Sequence, residues 1–303
     1  MKDVVLVHTD EYAKWVLSPD HPTQGRRFMI AKEMLVDECK KEFFEMEIVE
    51  PIVMSGDDTS WVIQNHSREY LANVRKGECD EWDGVRPDLG ALAFTMLNGT
   101  ITALNQLLHG KTLVAVNFAG AKHHAQYDHS SGFCVLADFA ISAHLATQYG
   151  HRVAIFDCDV HHGDGTENLT RNNPDILSYS VHQRDIFPFT GDHSIPSKNV
   201  YNYPLYEGEG DKALHRATRD FLILIDDFKP TMVFVACGAD GLADDPLGGL
   251  KYTTEGYSQA MRLIRTTHPN MPILFGGAGG YLPDDQTPAT WVRAVSTLIN
   301  PLF

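Results

Sequence analysis

The run Arg152-Val153-Ala154-Ile155-Phe156 leads straight into Asp157-Cys158-Asp159-Val160-His161-His162-Gly163-Asp164-Gly165. The first part is a short apolar stretch that reads as a buried strand. The second crowds three carboxylates and two imidazoles at the end of that strand. Like charges so close repel unless a cation or hydrogen bonds compensate them. A fold that carries this nonamer must therefore bring compensating groups to one strand end. In an open parallel sheet, ligands gather in the crevice beyond the carboxyl ends of the strands. Alternate side chains of a strand share a face, so Asp157, Asp159 and His161 point the same way if the extended conformation persists. A carboxylate and an imidazole spaced like Asp159 and His161 suit a divalent metal.

The rest of the chain repeats the pattern of apolar strand, polar loop and helix. Strands are expected at Val4 to His8, Glu47 to Met54, Leu113 to Asn117, Ile176 to Val181, Met232 to Ala236 and Ile273 to Phe275. Helices are expected from about Gly25, from Leu89 to a stop at Gly110, and over Val135 to Tyr149. Others cover Lys212 to Phe228 and Glu255 to Thr267, and a last one ends the chain. Asp57-Asp58 and Ser67 suit the N-caps of two short helices. The polar stretch Gly77 to Asp88, which holds Trp82, reads as a surface loop. This alternation predicts an α/β fold: a single domain over residues 1–303, with a mostly parallel central sheet and helices on both faces.

Charge and cysteines narrow the classes of function. The net charge of −15 argues against a binder of nucleic-acid phosphates. The five cysteines are odd in number and contain no CxxC pair, which points away from a disulfide framework or a cysteine zinc site. A reducing, cytoplasmic location is expected, because Met1-Lys2-Asp3 runs into an apolar stretch too short for a signal segment. No apolar stretch is long enough for a membrane span.

The unusual residues sit after apolar strands. His123-His124, the nonamer, Ser180-Val181-His182, Asp240 and Gly276 to Tyr281 would share one edge of a parallel sheet. Asp159, His161 and Asp240 supply three protein ligands and leave a position open for water, the arrangement of a catalytic zinc site. His123 and His124 suit acid–base work, with Asp157 and Asp164 available to orient them. The phenol of Tyr281, after a glycine run, can donate to a developing oxyanion. Two lures fall away. Gly110-Lys111-Thr112 lacks the first glycine of a phosphate-binding loop, and Gly276 to Gly280 lacks the third glycine of a dinucleotide fingerprint.

These residues carry a resemblance. His123-His124, Gly132-Phe133-Cys134, the nonamer, Phe187-Pro188, Gly238-Ala239-Asp240 with Asp245 to Gly248, and Gly279-Gly280-Tyr281 occur in one order. In that order the chain resembles the histone deacetylase and acetylpolyamine amidohydrolase family over nearly its whole length. The resemblance implies an arginase-like α/β fold and a zinc-dependent amide hydrolase. It implies Zn²⁺ on Asp159, His161 and Asp240, and His124 as general base steered by Asp164. It implies His123 with Asp157 as electrostatic support, and Tyr281 as the oxyanion donor. The Gly132 carbonyl would accept the substrate amide N–H, and Phe133 and Phe187 would wall a channel for an alkyl-amine chain. Asp157 and Ser180 would hold a structural K⁺. The implied substrates are acetylated lysine or an acetylated polyamine.

The chain departs from the family's pattern in places. Lys122 stands in a loop that usually carries prolines, Asp138 stands where Asn is expected, and only Arg27 suits the arginine after His21-Pro22. Two other readings compete. An arginase-like ureohydrolase needs bridging carboxylates where Gly163 and Leu242 stand. A non-catalytic acetyl-amine binder would be favoured by a missing ligand, His124 or Tyr281, and all are present.

Overall fold

Short apolar runs form the strands because they are buried on both faces, as parallel sheets require. Val4–Val7 (β1), Val114–Asn117 (β3), Val153–Asp157 (β4), Ile176–Gln183 (β5), Met232–Ala236 (β7) and Ile273–Gly276 (β8) are buried throughout. Met46–Val49 (β2) and Val200–Leu205 (β6) are only partly buried and lie at the two edges. The computed structural model describes residues 1–53 and 60–302. Among them, eight strands form one sheet in the order β2-β1-β3-β8-β7-β4-β5-β6, with every pair parallel.

Helices flank both faces. Arg26–Glu42 (α1), Asp211–Phe228 (α7), Thr254–Thr267 (α8) and Gln286–Ile299 (α9) pack in series. A second series runs through Arg68–Lys76 (α3), Pro87–Leu108 (α4), Asp138–Gln148 (α5) and Asp164–Thr170 (α6), with Ser60–Asn65 (α2) against α5. Among the described residues no helix is long and apolar enough to cross a membrane.

Several boundaries differ from the sequence reading. The second strand stops at Val49, where its neighbour β1 also ends at Val7. Met54 and the Asp57-Asp58 cap lie outside the described residues, whereas Ser67 does cap α3 by accepting from the Tyr70 N–H at 3.1 Å. Strand β6 has no counterpart among the strands expected from the sequence. It contains Pro204, and an edge is where a strand accommodates a missing N–H.

Helix α5 begins at Asp138 rather than Val135, because side chains from elsewhere take the backbone groups just before it. The Tyr70 hydroxyl donates to the Val135 carbonyl at 2.7 Å, and His66 Nε2 accepts from the Ala137 N–H at 2.9 Å. The 77–86 stretch is docked rather than free on the surface. Trp82 is buried with its indole N–H on the Gly77 carbonyl at 2.8 Å and its ring edge-on to Trp15. Turn residues report the path of a backbone, not its depth.

His66 makes the fold acid-sensitive. Burial lowers its pKa from 6.5 to about 4, and Nε2 must stay unprotonated to accept from Ala137. The unfolded chain takes up the proton at the ordinary value, so this contribution is full above pH 6.5 and is lost as pH falls towards 4. The loss reaches about 3 kcal/mol. His8 and His182 are likewise lowered, chiefly by burial, and add to it with the same sign. In His66→Gln the side-chain oxygen still accepts the N–H but does not titrate. Urea midpoints at about pH 7 and about pH 4.5 are expected to differ less in this variant than in the wild type. An identical pH slope would reject the assignment.

Candidate active site and metal centre

Four adjacent strands, β3, β8, β7 and β4, deliver the site residues at their carboxyl ends. The nonamer folds by local turn chemistry. Strand β4 stops at Asp157, whose Oδ1 accepts from the Asp159 N–H at 3.1 Å. Asp159 Oδ1 in turn accepts from the His161 N–H at 2.9 Å. Successive aspartates thus bond the backbone two residues on and turn the chain. The extended conformation ends at Asp157, whose carboxylate pairs with His123, while Asp159 and His161 join Asp240.

Asp159, His161 and Asp240 converge, with one ligand atom from each within 4.8 Å of the others. His161 Nδ1 lies 3.1 Å from Asp159 Oδ1 and 3.2 Å from Asp240 Oδ2. Backbone N–H groups of Gly279 and Val160 hold the outer carboxylate oxygens at 2.7 and 3.0 Å. The cradle admits only glycine at two points. A Cβ at Gly238 would sit 2.0 Å from Asp159 Oδ2, and one at Gly279 2.1 Å from Asp240 Oδ2.

The electrostatics fit a cation. Burial and the neighbouring Asp159 charge raise Asp240 to about 7. Burial opposes ionisation of Asp159, but His123 and His161 hold it well below the usual carboxylate range. Burial would lower His161 too, yet its bonds to both carboxylates raise it to about 10. A proton on Nδ1 thus sits where the three donors point, and a divalent cation supplies the same relief with more charge. An O,N,O donor set of this kind suits Zn²⁺.

Two His–Asp pairs stand beside it. His123 Nδ1 bonds Asp157 Oδ2 at 2.7 Å, and His124 Nδ1 bonds Asp164 Oδ1 at 2.7 Å. Burial is the largest influence on both rings. For His123 it is outweighed by Asp157 and Asp159, which raise it to about 9, whereas His124 falls to about 4. The Asp164 carboxylate is also held by Gln126 Nε2 at 2.8 Å, a residue the sequence reading missed because one amide in a polar loop carries no pattern.

Above these groups opens a channel of about 410 Å³ lined by Phe133, Phe187, Ile186 and Leu247, with His124, His161, Gly132 and Tyr281. Phe187 is 40% exposed, so it is not a core residue, and its ring stands edge-on to His124 at 5.0 Å. Gly132 fits between them, since a Cβ there would meet His124 Cδ2 at 2.4 Å and Phe187 Cε1 at 2.9 Å. Phe133 has a left-handed backbone (φ 65°), and its N–H donates to Glu81 at 2.8 Å. Glu81 comes from the stretch read as a surface loop.

Tyr281 is aimed by its own backbone N–H, which donates to Asp245 Oδ2 at 2.7 Å. Arg27 packs against its ring and donates to the Gly280 carbonyl at 2.5 Å. The Tyr281 hydroxyl makes no hydrogen bond among the described residues. Burial and the nearby Asp240 and Asp159 raise its pKa well above the ordinary value, so it keeps its proton. Asp157 pairs in register with Ser180 across β4 and β5, and Ser180 Oγ bonds His182 Nδ1 at 2.9 Å.

The model of the histone deacetylase domain family matches residues 2–298. The chain belongs to this family. It is 28% identical over 299 residues to the probable histone deacetylase 1-B of Xenopus laevis, covering 92% of this chain and 62% of that protein. It is 27% identical over 302 residues to histone deacetylase clr6 of Schizosaccharomyces pombe, covering 92% of this chain and 73% of that protein. It is 27% identical over 319 residues to the acetoin utilization protein AcuC of Bacillus subtilis, covering 97% of this chain and 81% of that protein. The chain thus spans less than two thirds of the Xenopus protein and most of the Bacillus one. Family, fold and the Asp159-His161-Asp240 cluster together support a metal-dependent amidohydrolase on the arginase/deacetylase-like fold.

Proposed function

We propose that residues 1–303 form one catalytic domain, a cytoplasmic zinc-dependent deacetylase. Its substrate is the terminal amide of an acylated alkyl amine, either acetylated lysine or an acetylated polyamine. One observation carries the reading: three metal-competent donors converge at the foot of an aromatic channel, between two His–Asp pairs and an unbonded tyrosine hydroxyl.

Asp159, His161 and Asp240 would hold one Zn²⁺, which when bound polarises a carbonyl and lowers the pKa of water to about 7. His124 is neutral near pH 7 and oriented by Asp164, so it takes a proton from the attacking water and returns it to the leaving amine. His123 is cationic and tied to Asp157, so it favours the negative charge that develops beside it. Environments that push two imidazoles apart in pKa assign them different roles. The Tyr281 phenol donates to the oxyanion. The Gly132 carbonyl takes the amide N–H, and Phe133 and Phe187 exclude water from the alkyl stem. A structural K⁺ is assigned to Asp157 and Ser180 together with nearby backbone carbonyls. No observation favours the ureohydrolase. A Cβ at Gly163 would lie 2.4 Å from Asp157 Oδ2, and Leu242 is buried.

The test combines metal analysis with hydrolysis of acetyl-lysine peptides and acetylpolyamines. One zinc per active chain and loss of activity on chelation are expected. Two tightly bound metals per chain, or full activity after metal removal, would sink the reading.

A further inference from the structure

Phe187, a wall of the channel, stands on the loop of residues 184–191 that follows β5. It makes no hydrogen bond of its own among the described residues. The backbone is left-handed on either side of it, at Asp185 and at Phe189, each with φ 61°. Such conformations cost energy in residues other than glycine and persist where the surroundings fix them. The start of the loop is tied down by backbone bonds. The N–H groups of Gln183 and Arg184 donate to the Val160 and Leu205 carbonyls at 2.8 and 2.9 Å. The end of the loop rests on two buried imidazoles instead. His162 Nδ1 lies 2.8 Å from Thr190 Oγ1, and His182 Nε2 lies 3.1 Å from the Gly191 carbonyl. Gly191 has φ 86°, and a Cβ there would meet both rings at 2.6 Å.

His162 passes this anchorage on to α6. Its Nε2 lies 3.0 Å from Glu167 Oε2, which also accepts from Asn202 Nδ2 at 2.9 Å. Burial opposes ionisation of Glu167, but the bonds from His162 and Asn202 hold it below the usual carboxylate range. A carboxylate only accepts, so His162 Nε2 carries the proton and Nδ1 accepts from the Thr190 hydroxyl. Glu167 shares the first turn of α6 with Asp164, the residue that orients His124. Phe187 in turn stands edge-on to His124 at 5.0 Å. One short helix therefore reaches the base directly and the channel wall through His162 and Thr190.

We propose that Thr190 is a positioning residue: the chain Thr190–His162–Glu167 fixes the Phe187 wall against the base that the same helix orients. The inference rests on the amide-hydrolase reading, in which the alkyl stem lies along Phe187. Thr190 is exposed, so replacing it leaves the core intact. Thr190→Val keeps the shape of the side chain and removes only the hydroxyl, which leaves His162 Nδ1 without its donor and releases the end of the loop.

The test compares N-hexylacetamide with N-methylacetamide on zinc-loaded enzyme, since only the longer stem reaches along the wall. In Thr190→Val the ratio of kcat/KM, long stem over short, is expected to fall about fivefold, with the loss in KM. Thr190→Ser, which keeps the hydroxyl, is expected to restore it. In a Phe187→Ala background, Thr190→Val is expected to change the ratio no further, because its effect passes through Phe187. An unchanged ratio in Thr190→Val, or the same fall with and without Phe187, overturns the inference and leaves the deacetylase reading standing. Hydrolysis of neither amide by the wild type overturns that reading instead. Fluorine NMR of para-fluorophenylalanine incorporated at position 187 then decides the positioning role without turnover. A resonance shifted or broadened by Thr190→Val and restored by Thr190→Ser supports it, and identical spectra reject it.

Discussion

Asp240→Asn is expected to lose zinc and nearly all hydrolysis while keeping its fold. Asp240 is fully buried, and its Oδ2 faces His161 while Oδ1 accepts the Val160 N–H at 3.0 Å. Asparagine can keep the Val160 bond, so the turn after β4 survives. The substitution removes the negative charge that makes this oxygen a metal ligand and leaves an O,N pair with one neutral amide. Metal polarisation contributes several kcal/mol to the barrier, so the rate is expected to fall by on the order of 10³-fold. The variant also removes a buried carboxylate that burial and, after it, the Asp159 charge raise to about 7. Its metal-free form is therefore expected to melt no lower than metal-free wild type. Stoichiometric zinc by elemental analysis together with wild-type kcat would reject Asp240 as a ligand.

Tyr281→Phe is expected to bind zinc, melt near wild type and hydrolyse an acetyl amide about 10²–10³-fold more slowly, the usual cost of one oxyanion donor. A packed tyrosine would predict the opposite ranking, with little rate lost and some stability lost. The geometry favours the first outcome. The backbone N–H on Asp245 and the Arg27 guanidinium against the ring fix the side chain, and neither uses the hydroxyl. The hydroxyl has no partner among the described residues to lose. The comparison needs kcat on an unactivated amide, because a strongly electron-withdrawing acyl group stabilises its own oxyanion. Unchanged kcat on acetyl-lysine would end the assignment and leave zinc as the only carbonyl activator.

Much of the site was legible because its chemistry is local. Asp159 and His161 lie in one nonamer, and each aspartate folds its own turn through a bond to the backbone two residues on. The tandem histidines, Asp240 and Tyr281 each follow an apolar run, and such runs become buried strands with their loops at one edge. The pairing of His124 with Asp164 and of His123 with Asp157 was open in the residues alone. It is settled by distances across about 40 and about 34 positions of chain.

The supporting residues were not legible, because they act at long range. Glu81 reaches the Phe133 N–H over 52 positions, from a stretch whose turn-rich composition hid a buried Trp82. Asp138 stands out in the sequence only as a departure from Asn, yet it caps the two N–H groups that lead into His123-His124. The buried Lys122 and Arg27 lie far apart in the chain and line one cavity only once it is folded.

Taken alone, the sequence determined the α/β class, the strand ends that carry chemistry and the identities of the three convergent donors. These follow from apolar periodicity and from ligand spacing within single segments. The tertiary structure decided that β3, β8, β7 and β4 are neighbours, and hence that their loops meet at one point. It also decided where helix α5 begins and which charges are left buried beside the site. Strand order, and the hydrogen bonds between distant segments, depend on how the whole sheet packs, a property no local stretch of residues contains.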